Sequence, residues 1–164
     1  MEMRDVLFEH IQTAINTAPA KLRVVVAGHS MGAALAQLAA VDIGQSFKTT
    51  NQIIGIDVVG FGSPRVGNTA FTHMLRGGGH INTVTLVANT EDVVTNFPLA
   101  VQPQTKHDSK PMLYSHPDGA LQFFTTNKGS WFQNHEMQLY KDYVVKRMGV
   151  SGSPRCELKK KVYV

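Results

Sequence analysis

Hydrophobic residues in the first third of the chain change from helical to strand spacing and back again. Between residues 1 and 18 the apolar side chains recur every three or four positions, as on one face of an amphipathic helix, and Pro19 stands just past its end. A largely apolar run from Leu22 to Ala27 contains three consecutive valines and predicts a buried strand. Residues 31–43 hold no proline and many alanines, so they predict a second helix.

Two more strands and one short helix are predicted next. Residues 53–61 are rich in isoleucine and valine, which is typical of a strand covered on both faces. Asp57 interrupts this run and predicts a strand end or sheet edge, where loop groups donate hydrogen bonds to its carboxylate. Asn68 or Thr69 can cap a helix over residues 70–76, and the β-branched residues of 82–88 predict a third strand.

The last third of the chain predicts two short strands and a long helix. The strands, residues 112–115 and 120–126, flank the turn sequence Pro117-Asp118-Gly119, which is typical of a hairpin. The helix spans residues 133–148 and ends at Gly149, with basic residues in its last turn. This order of elements predicts an α/β sheet with a parallel centre, an antiparallel end and helices on both faces.

The composition is that of one globular domain with a short tail. The chain has 164 residues, of which 43% are hydrophobic, enough for one substantial core, and it contains no repeat or low-complexity segment. We therefore expect a single domain over residues 1–150. Residues 151–164 begin with serine, glycine and proline and are rich in lysine, and they predict a loosely held basic tail.

Charge and cysteine content indicate which binding partners and which cellular compartments are expected. The net charge of +4 and the pI of about 9.3 are mild, and much of the excess lies in the tail. Nucleic acid is therefore not expected as a partner, whereas an anionic lipid surface is compatible with this charge. The single cysteine, Cys156, has no partner for an internal disulfide. The chain as given shows no signal peptide and no membrane-spanning stretch, which favours a cytoplasmic or membrane-peripheral location over secretion.

The sequence Gly28-His29-Ser30-Met31-Gly32 joins the first strand to the second helix. It matches the G-x-S-x-G pattern of a nucleophile elbow, a sharp turn that holds a serine in a strained backbone conformation with its hydroxyl clear of the sheet. Glycines are expected because a side chain at position 28 or 32 would collide where strand and helix come close. The motif requires a strand before it and a helix after it, and both are predicted, so Ser30 is the candidate nucleophile.

An acid and a base are needed to activate Ser30. A serine hydroxyl attacks when an imidazole accepts its proton, and a carboxylate holds that imidazole in the correct tautomer. In an α/β-hydrolase both groups follow the serine along the chain, on loops at the carboxyl edge of the sheet. Asp92 lies just past the third strand and is followed by apolar residues that can shield it, so it is the predicted acid. Asp108 and Asp118, on more polar turns, are the alternatives.

The base has to come from seven histidines. His135 is the last of them, at the beginning of the final helix, where it can lie over the site, and we predict that it is the base. His29 adjoins the serine and is expected to point away from it and to serve in packing. The others are expected in exposed or polar segments or at a strand end: His10, His73, His80, His107 and His116.

The oxyanion of an acyl-transfer intermediate needs two preorganised backbone donors. The N–H of Met31, directly after the serine, is the expected first donor, and the second normally comes from a loop after an earlier strand. Only one helix precedes Leu22, so neither that donor nor flanking strands on that side are expected. The run from Leu22 to Ala27 then forms an open edge that can pair with a second copy of the chain or with a partner chain.

Five parts of the chain carry a family resemblance: Gly28-His29-Ser30-Met31-Gly32-Ala33-Ala34-Leu35-Ala36, Phe61-Gly62-Ser63-Pro64-Arg65-Val66-Gly67-Asn68, residues 89–98 around Asp92, Tyr114-Ser115-His116 and His135. In this order they resemble the carboxy-terminal part of a class 3 lipase. That family comprises the fungal triacylglycerol lipases of the α/β-hydrolase superfamily and their plant and protist relatives. The resemblance covers residues 5–145 and implies an α/β-hydrolase-like fold from which the amino-terminal strands and the lid are missing.

The resemblance also implies a function. It implies hydrolysis of carboxylic esters, in acylglycerols or related lipids, at a lipid–water interface through an acyl-enzyme at Ser30, with Asp92 and His135 completing a triad and with no metal or cofactor. By the same likeness Met31 is an oxyanion donor, and Phe97 and Leu99 line the acyl pocket. Arg65 and Asn68 then belong to a structural turn.

The chain departs from the family pattern in three respects. The other oxyanion residue and the lid helix are absent, the disulfides of secreted members are impossible, and the tyrosine that commonly stands three positions after the histidine is here Tyr140, five positions on. These departures motivate a rival hypothesis, in which the chain is a non-catalytic lipase-like module or a truncated lipase that needs a partner chain. Acyl transfer to an alcohol is a third hypothesis that uses the same residues.

Overall fold

Helices and strands alternate through most of the chain. The computed structural model describes residues 2–77, 80–102 and 112–148. The helices are α1 (Met3–Thr17), α2 (Met31–Ser46), α3 (Thr69–Gly77), α4 (Trp131–Asn134) and α5 (Met137–Arg147). The strands are β1 (Leu22–His29), β2 (Ile53–Phe61), β3 (Ile81–Asn89), β4 (Val101–Gln102), β5 (Met112–Leu113) and β6 (Leu121–Phe124). A short 3₁₀ helix, Val93–Asn96, follows β3.

The predicted elements from α1 to β3 agree with the structure to within three residues at each end. The basic tail predicted over residues 151–164 lies outside the described residues, as do His107, Asp108 and Gly149. Among the described helices, none has the length and apolar character needed to cross a membrane.

The central sheet has the strand order β1-β2-β3-β6, and every neighbouring pair is parallel. The antiparallel end predicted for this sheet is therefore wrong. β4 and β5 do pair antiparallel, with Val101 opposite Leu113, but they form a separate two-stranded sheet.

The hairpin predicted around Pro117-Asp118-Gly119 is also wrong. The chain does turn there, and the Ala120 N–H donates to the Pro117 carbonyl at 3.1 Å. Leaving the turn, however, β6 runs beside β3 and pairs with residues 86–89, while Ser115, before the turn, bridges to Gly67. The turn sequence fixes only a local change of direction, and the open edge of β3 decides which strand β6 joins.

Helices cover both faces of the sheet, which confirms the predicted α/β class. On one face, Ile11 and Ile15 of α1 and Ile43 of α2 pack with Ile56 and Val58 of β2 in the main core. On the other face, the fully buried ring of Tyr140 in α5 meets the rings of Phe61 and Phe124 edge-on. The two faces alternate along β2 because successive strand side chains point in opposite directions.

β1 lies at one edge of the described sheet, with β2 as its neighbour. Val24 and Val26 pack against the main core, whereas Val25, on the other face, has 62% of its surface exposed. Both the outer edge of β1 and part of its second face are therefore accessible in the described part of the chain.

Asp57 lies in the middle of β2, and the prediction of loop partners at a strand end is wrong. Its carboxylate accepts hydrogen bonds from the Nε and the Nη2 of Arg23 in β1 and from the Thr83 hydroxyl in β3, the latter at 2.5 Å. These side chains lie on the same face because the three strands run in parallel register. The hydrogen bond to Arg23 lowers the pKa of Asp57, so its carboxylate remains charged.

Candidate active site

The turn between β1 and α2 holds Ser30 in a backbone conformation that residues with side chains seldom adopt. Its φ of 58° is the only positive value among the described non-glycine residues. The Ser30 N–H donates to the Phe61 carbonyl at the end of β2 (2.9 Å), and the Ser30 carbonyl accepts from Ala33 in the first turn of α2 (3.0 Å). A conformation of this kind costs on the order of 1–3 kcal/mol and persists because neighbouring structure holds it.

The two glycines of the elbow are not equivalent. A Cβ at position 28 would overlap the Gly32 carbonyl and lie 2.7 Å from the Ala33 nitrogen, so Gly28 is required by the close approach of strand and helix. A Cβ at position 32 would meet nothing within 4 Å. The predicted collision at position 32 is wrong because the contact is one-sided: the backbone of Gly32 fills the space that a side chain at 28 would need.

Ser30, Asp92 and His135 meet at the carboxyl edge of the sheet. The His135 Nε2 lies 2.7 Å from the Ser30 Oγ, and the His135 Nδ1 lies 2.7 Å from the Asp92 Oδ2. One tautomer satisfies both contacts, with Nδ1–H donating to the carboxylate and Nε2 accepting from the serine hydroxyl. The Asp92 side chain is fully buried and the imidazole is 13% exposed, so this chain of hydrogen bonds is largely shielded from water.

Asp92 is held by three donors. Its Oδ1 accepts from the Val94 N–H at 2.9 Å, which caps the 3₁₀ helix, and its Oδ2 accepts from both His135 and the Tyr140 hydroxyl. Burial and the hydrogen bond to Asp92 raise the pKa of Tyr140, so its phenol stays protonated and keeps donating. Asp118, the alternative acid among the described residues, lies exposed on the turn before β6.

His135 lies in a break between two helices, and the single helix predicted over residues 133–148 is wrong. The break occurs because Glu136 has an extended backbone, with ψ of 134°, after which α5 begins. The preceding Asn134 is the last residue of α4, and its N–H still donates to the Ser130 carbonyl at 3.0 Å. Its side chain accepts from the Lys128 N–H at 2.7 Å, and its carbonyl accepts from the Asn89 amide at 3.1 Å instead of continuing the helix. His135 therefore projects from a short connection with defined backbone contacts on both sides.

Three residues of the site were not predicted to have this role: Tyr140, Asn89 and Gly62. Asn89 is fully buried at the end of β3, and its amide donates to the carbonyls of Thr126 (2.8 Å) and Asn134 while its Oδ1 accepts from the Thr126 N–H. It thereby ties the ends of β3 and β6 to α4. A polar residue closing an apolar strand is the only signal for it in the sequence.

Gly62 packs directly against Asp92 and His135. It has φ of +56°, and a Cβ there would lie 2.9 Å from the Asp92 Oδ2, 3.0 Å from the Tyr140 hydroxyl and 3.1 Å from the His135 Cε1. The sequence marks Gly62 only as part of a turn, because the contact depends on segments far apart in the chain.

An apolar surface lies beside the site. Val93, Val94, Phe97 and Trp131 line an open cavity of about 520 Å³. Phe97, predicted to line an acyl pocket, is one of its walls, whereas Leu99 is exposed and is not among the lining residues. The Met31 side chain is also exposed, and its N–H belongs to the first turn of α2, where backbone donors lack intrahelical acceptors.

The segment that carries Phe97 is anchored by Arg65. The Arg65 Nη1 donates to the Pro98 carbonyl at 2.8 Å, and its backbone N–H donates to the Phe97 carbonyl at 2.7 Å. The Asn68 side chain accepts from the Phe71 N–H at 3.1 Å at the start of α3. No group of His, Cys, Asp and Glu side chains suited to a metal ion occurs within residues 2–77, 80–102 and 112–148.

More than half of this chain is similar in sequence to known proteins. The family model described as Lipase (class 3) matches residues 1–102. The chain is 36% identical to a chloroplastic phospholipase A(1), DAD1, of Arabidopsis thaliana over 114 residues, which are 69% of this chain and 24% of that protein. It is 31% identical to secreted mono- and diacylglycerol lipase 3 of Gibberella zeae, over 66% of this chain and 30% of that protein.

Among solved structures, the triacylglyceride lipase of Rhizomucor miehei is similar with a TM-score of 0.47 and 26% identity, over 58% of this chain and 34% of the other. The matched segment covers less than a third of the length of the Arabidopsis phospholipase and of the Gibberella lipase. The match to the family model nevertheless covers more than half of this chain. The chain belongs to the class 3 lipases of the α/β-hydrolase fold.

Proposed function

We propose that this chain acts as a serine carboxylic-ester hydrolase on acylglycerols or related lipids through an acyl-enzyme at Ser30. The observation that carries the proposal is the unbroken chain of hydrogen bonds from the Ser30 hydroxyl through His135 to the buried Asp92. Membership of the lipase family makes a lipid ester the expected substrate.

The proposed reaction has two halves. In the first, the Ser30 Oγ attacks the ester carbonyl while His135 Nε2 accepts the serine proton, and Asp92 stabilises the imidazolium that forms. The Met31 N–H donates to the oxyanion, and collapse of the intermediate releases the alcohol, which takes its proton from His135. In the second half, a water molecule deprotonated by His135 attacks the acyl-enzyme, releases the fatty acid and restores Ser30.

A lipid surface is the proposed partner of the site. The apolar cavity is lined by Val93, Val94, Phe97 and Trp131, and the exposed ring of Phe132 packs against that of Trp131. Such a surface fits acyl chains better than water. The similar proteins are named as a phospholipase A(1) and as a mono- and diacylglycerol lipase, so both substrate classes should be tested.

The decisive test replaces Ser30. We expect Ser30→Ala to abolish fluorophosphonate labelling and to lower p-nitrophenyl ester turnover at least about 1,000-fold, since a triad serine acts with its partners as a unit. Ser46→Ala is the matched control: Ser46 is an exposed serine at the far end of the helix that follows Ser30, and its replacement should leave both readouts unchanged. Turnover by Ser30→Ala at the wild-type rate would show that the site is not catalytic. A separate experiment distinguishes hydrolysis from acyl transfer: an alcohol is added to the wild-type reaction, and the products are analysed for free fatty acid and for the new ester.

A second candidate function is that of a lipase-like module that pairs with a second copy or with a partner chain. The open edge of β1 and the exposed Val25 favour it. Size-exclusion chromatography and hydrogen exchange over residues 22–29 distinguish the two candidates. A dimer with a protected β1 and no ester turnover supports the module, whereas a monomer that turns over esters opposes it.

A further inference from the structure

His29 contacts the backbone that carries the proposed base. It is the last residue of β1, and its Nε2 lies 2.8 Å from the carbonyl oxygen of His135. A carbonyl oxygen only accepts hydrogen bonds, so the Nε2 of His29 has to carry the proton. The sequence predicts packing for this side chain, and the structure adds a directed hydrogen bond across the site.

The two imidazole rings also lie against each other. Their centroids are 4.7 Å apart with an interplanar angle of 31°, and the edge of the Tyr140 ring contacts His29 at 5.8 Å between centroids. His29 therefore touches both the backbone and the ring of His135, and it does so from the position directly before Ser30.

The carbonyl of His135 occupies a special place in the chain. α5 begins at Met137, and the Glu136 carbonyl accepts the Leu139 N–H, so the His135 carbonyl precedes the hydrogen-bond ladder of that helix. The His135 N–H is already bound to the Phe132 carbonyl at 3.1 Å. The Phe132 carbonyl therefore holds the N–H of His135, and the Nε2–H of His29 holds its carbonyl.

We propose that His29 is a positioning residue, whose Nε2–H holds the His135 carbonyl and so sets the distance between the His135 imidazole and the Ser30 hydroxyl. The inference rests on the proposed function. Because His29 and Ser30 are consecutive, the hydrogen bond joins the backbone of the nucleophile directly to that of the base. A displacement of about 1 Å between reacting groups can cost about 100-fold in rate, so a contact of this kind affects turnover.

The charge state of His29 fits this role. Burial is the largest influence on His29 and lowers its pKa. The hydrogen bond to the His135 carbonyl and the charge of Asp92 act in the opposite direction but do not reverse the shift, so the ring stays neutral near pH 7. The charged and titratable groups that face it are His135, Asp92 and the Tyr140 phenol. A neutral ring keeps a single proton for the carbonyl and adds no repulsion when His135 becomes an imidazolium.

The kinetic test compares His29→Phe with His29→Gln. Phe keeps an aromatic ring but has no donor, whereas Gln keeps an N–H donor at a similar distance and has no ring. We expect His29→Phe to lower kcat about 10- to 100-fold with KM unchanged, and His29→Gln to stay within about fivefold of wild type. A packing role gives the opposite ranking and overturns the inference. His73→Phe, at an exposed position on α3, is the control, and circular dichroism verifies that each variant is folded.

A second measurement is independent of turnover. Two-bond ¹H–¹⁵N spectra of the histidine rings in the wild-type chain and in Ser30→Ala should show His29 as the Nε2–H tautomer. In His29→Phe the Nδ1 proton of His135 should exchange faster with water. A His29 with its proton on Nδ1, or an unchanged His135 proton in His29→Phe, overturns the inference even if esters are hydrolysed. By contrast, a wild-type chain with no ester turnover that depends on Ser30 would contradict the proposed function, whatever the spectra of His29 show.

Discussion

At the scale of single residues, the environment of Asp92 is set by groups that lie far from it in the sequence. Tyr140 donates to the carboxylate from α5, and Gly62 leaves room for it at the end of β2. Because Asp92 is fully buried, the loss of one hydrogen-bond donor lowers the stability of the folded chain by about 1–3 kcal/mol. An atom added beside the carboxylate, as at position 62, displaces one of its partners.

Replacing Gly62 with alanine should damage the site more than the fold. The new Cβ would lie 2.9 Å from the Asp92 Oδ2, so we expect the acid or the base to move and kcat to fall about 100-fold. Gly119→Ala is the matched control: position 119 also has a positive φ, of 69°, but a Cβ there meets nothing within 4 Å. Both variants should lose about 1–2 kcal/mol of stability from backbone strain. Equal activities in the two would contradict the prediction.

Tyr140→Phe should lower both turnover and alkaline sensitivity. The variant removes one donor from the buried Asp92, and we expect kcat to fall about 10-fold with little change in KM. The raised pKa of Tyr140 means that the folded state keeps this proton more tightly than the unfolded state. Its stabilising contribution is therefore present below pH 10 and is lost as the pH rises further. Urea unfolding between pH 9 and pH 11 should show a shallower loss of stability for Tyr140→Phe than for wild type.

At the scale of elements, the elbow is a contact between the end of β1 and the first turn of α2. Its close approach depends on Gly28 alone, because Gly32 contributes backbone to the contact and has free space on its own Cβ side. The strained Ser30 is held between hydrogen bonds to β2 and α2.

The two elbow glycines should therefore respond differently to alanine. Gly28→Ala forces β1 and α2 apart, and we expect a loss of at least about 3 kcal/mol in the free energy of unfolding. Gly32→Ala should leave stability unchanged or raise it by up to about 1 kcal/mol, since alanine is the better helix former. Thermal unfolding of both variants checks this, and equal destabilisation would mean that the contact is symmetric.

At the scale of the whole molecule, two partly buried histidines make the stability of the described structure depend on pH. Burial lowers the pKa of both His29 and His116, and the His116 Nε2 donates to the Thr95 carbonyl at 2.8 Å beside the segment that carries Asp92. The unfolded chain binds these protons more readily than the folded chain does, so acid favours unfolding.

The free energy of unfolding should therefore be unaffected by these two histidines above about pH 6.5 and should fall as the pH drops below that value. We expect the unfolding temperature to decrease between pH 7 and pH 5, and His29→Gln to reduce that decrease. Asp42 and Asp57 do not contribute in this window, because their arginine partners lower their pKa values below the usual 3.8. An unfolding temperature that stays constant from pH 7 to pH 5 would contradict the assignment.

Part of the fold follows from local pattern, and part does not. The helical and strand periodicities up to β3 locate those elements, because a run of residues encodes its own period. The pairing of β6 with β3 and the helix break at Glu136 were predicted wrongly. Both depend on partners outside the segment: the open edge of β3 and the contacts of Asn134 with Lys128 and Asn89.

The sequence by itself determined the elbow, with its strand, serine and helix, and named Asp92 and His135 as the groups to look for. Tertiary structure decided that they lie within hydrogen-bond distance of one another, that Tyr140 and Gly62 complete the surroundings of Asp92, and that His29 reaches the His135 carbonyl. The physical reason is range. Periodicity and turn chemistry act over a few neighbouring residues, whereas a triad is a set of distances between atoms that only the packing of the whole chain fixes.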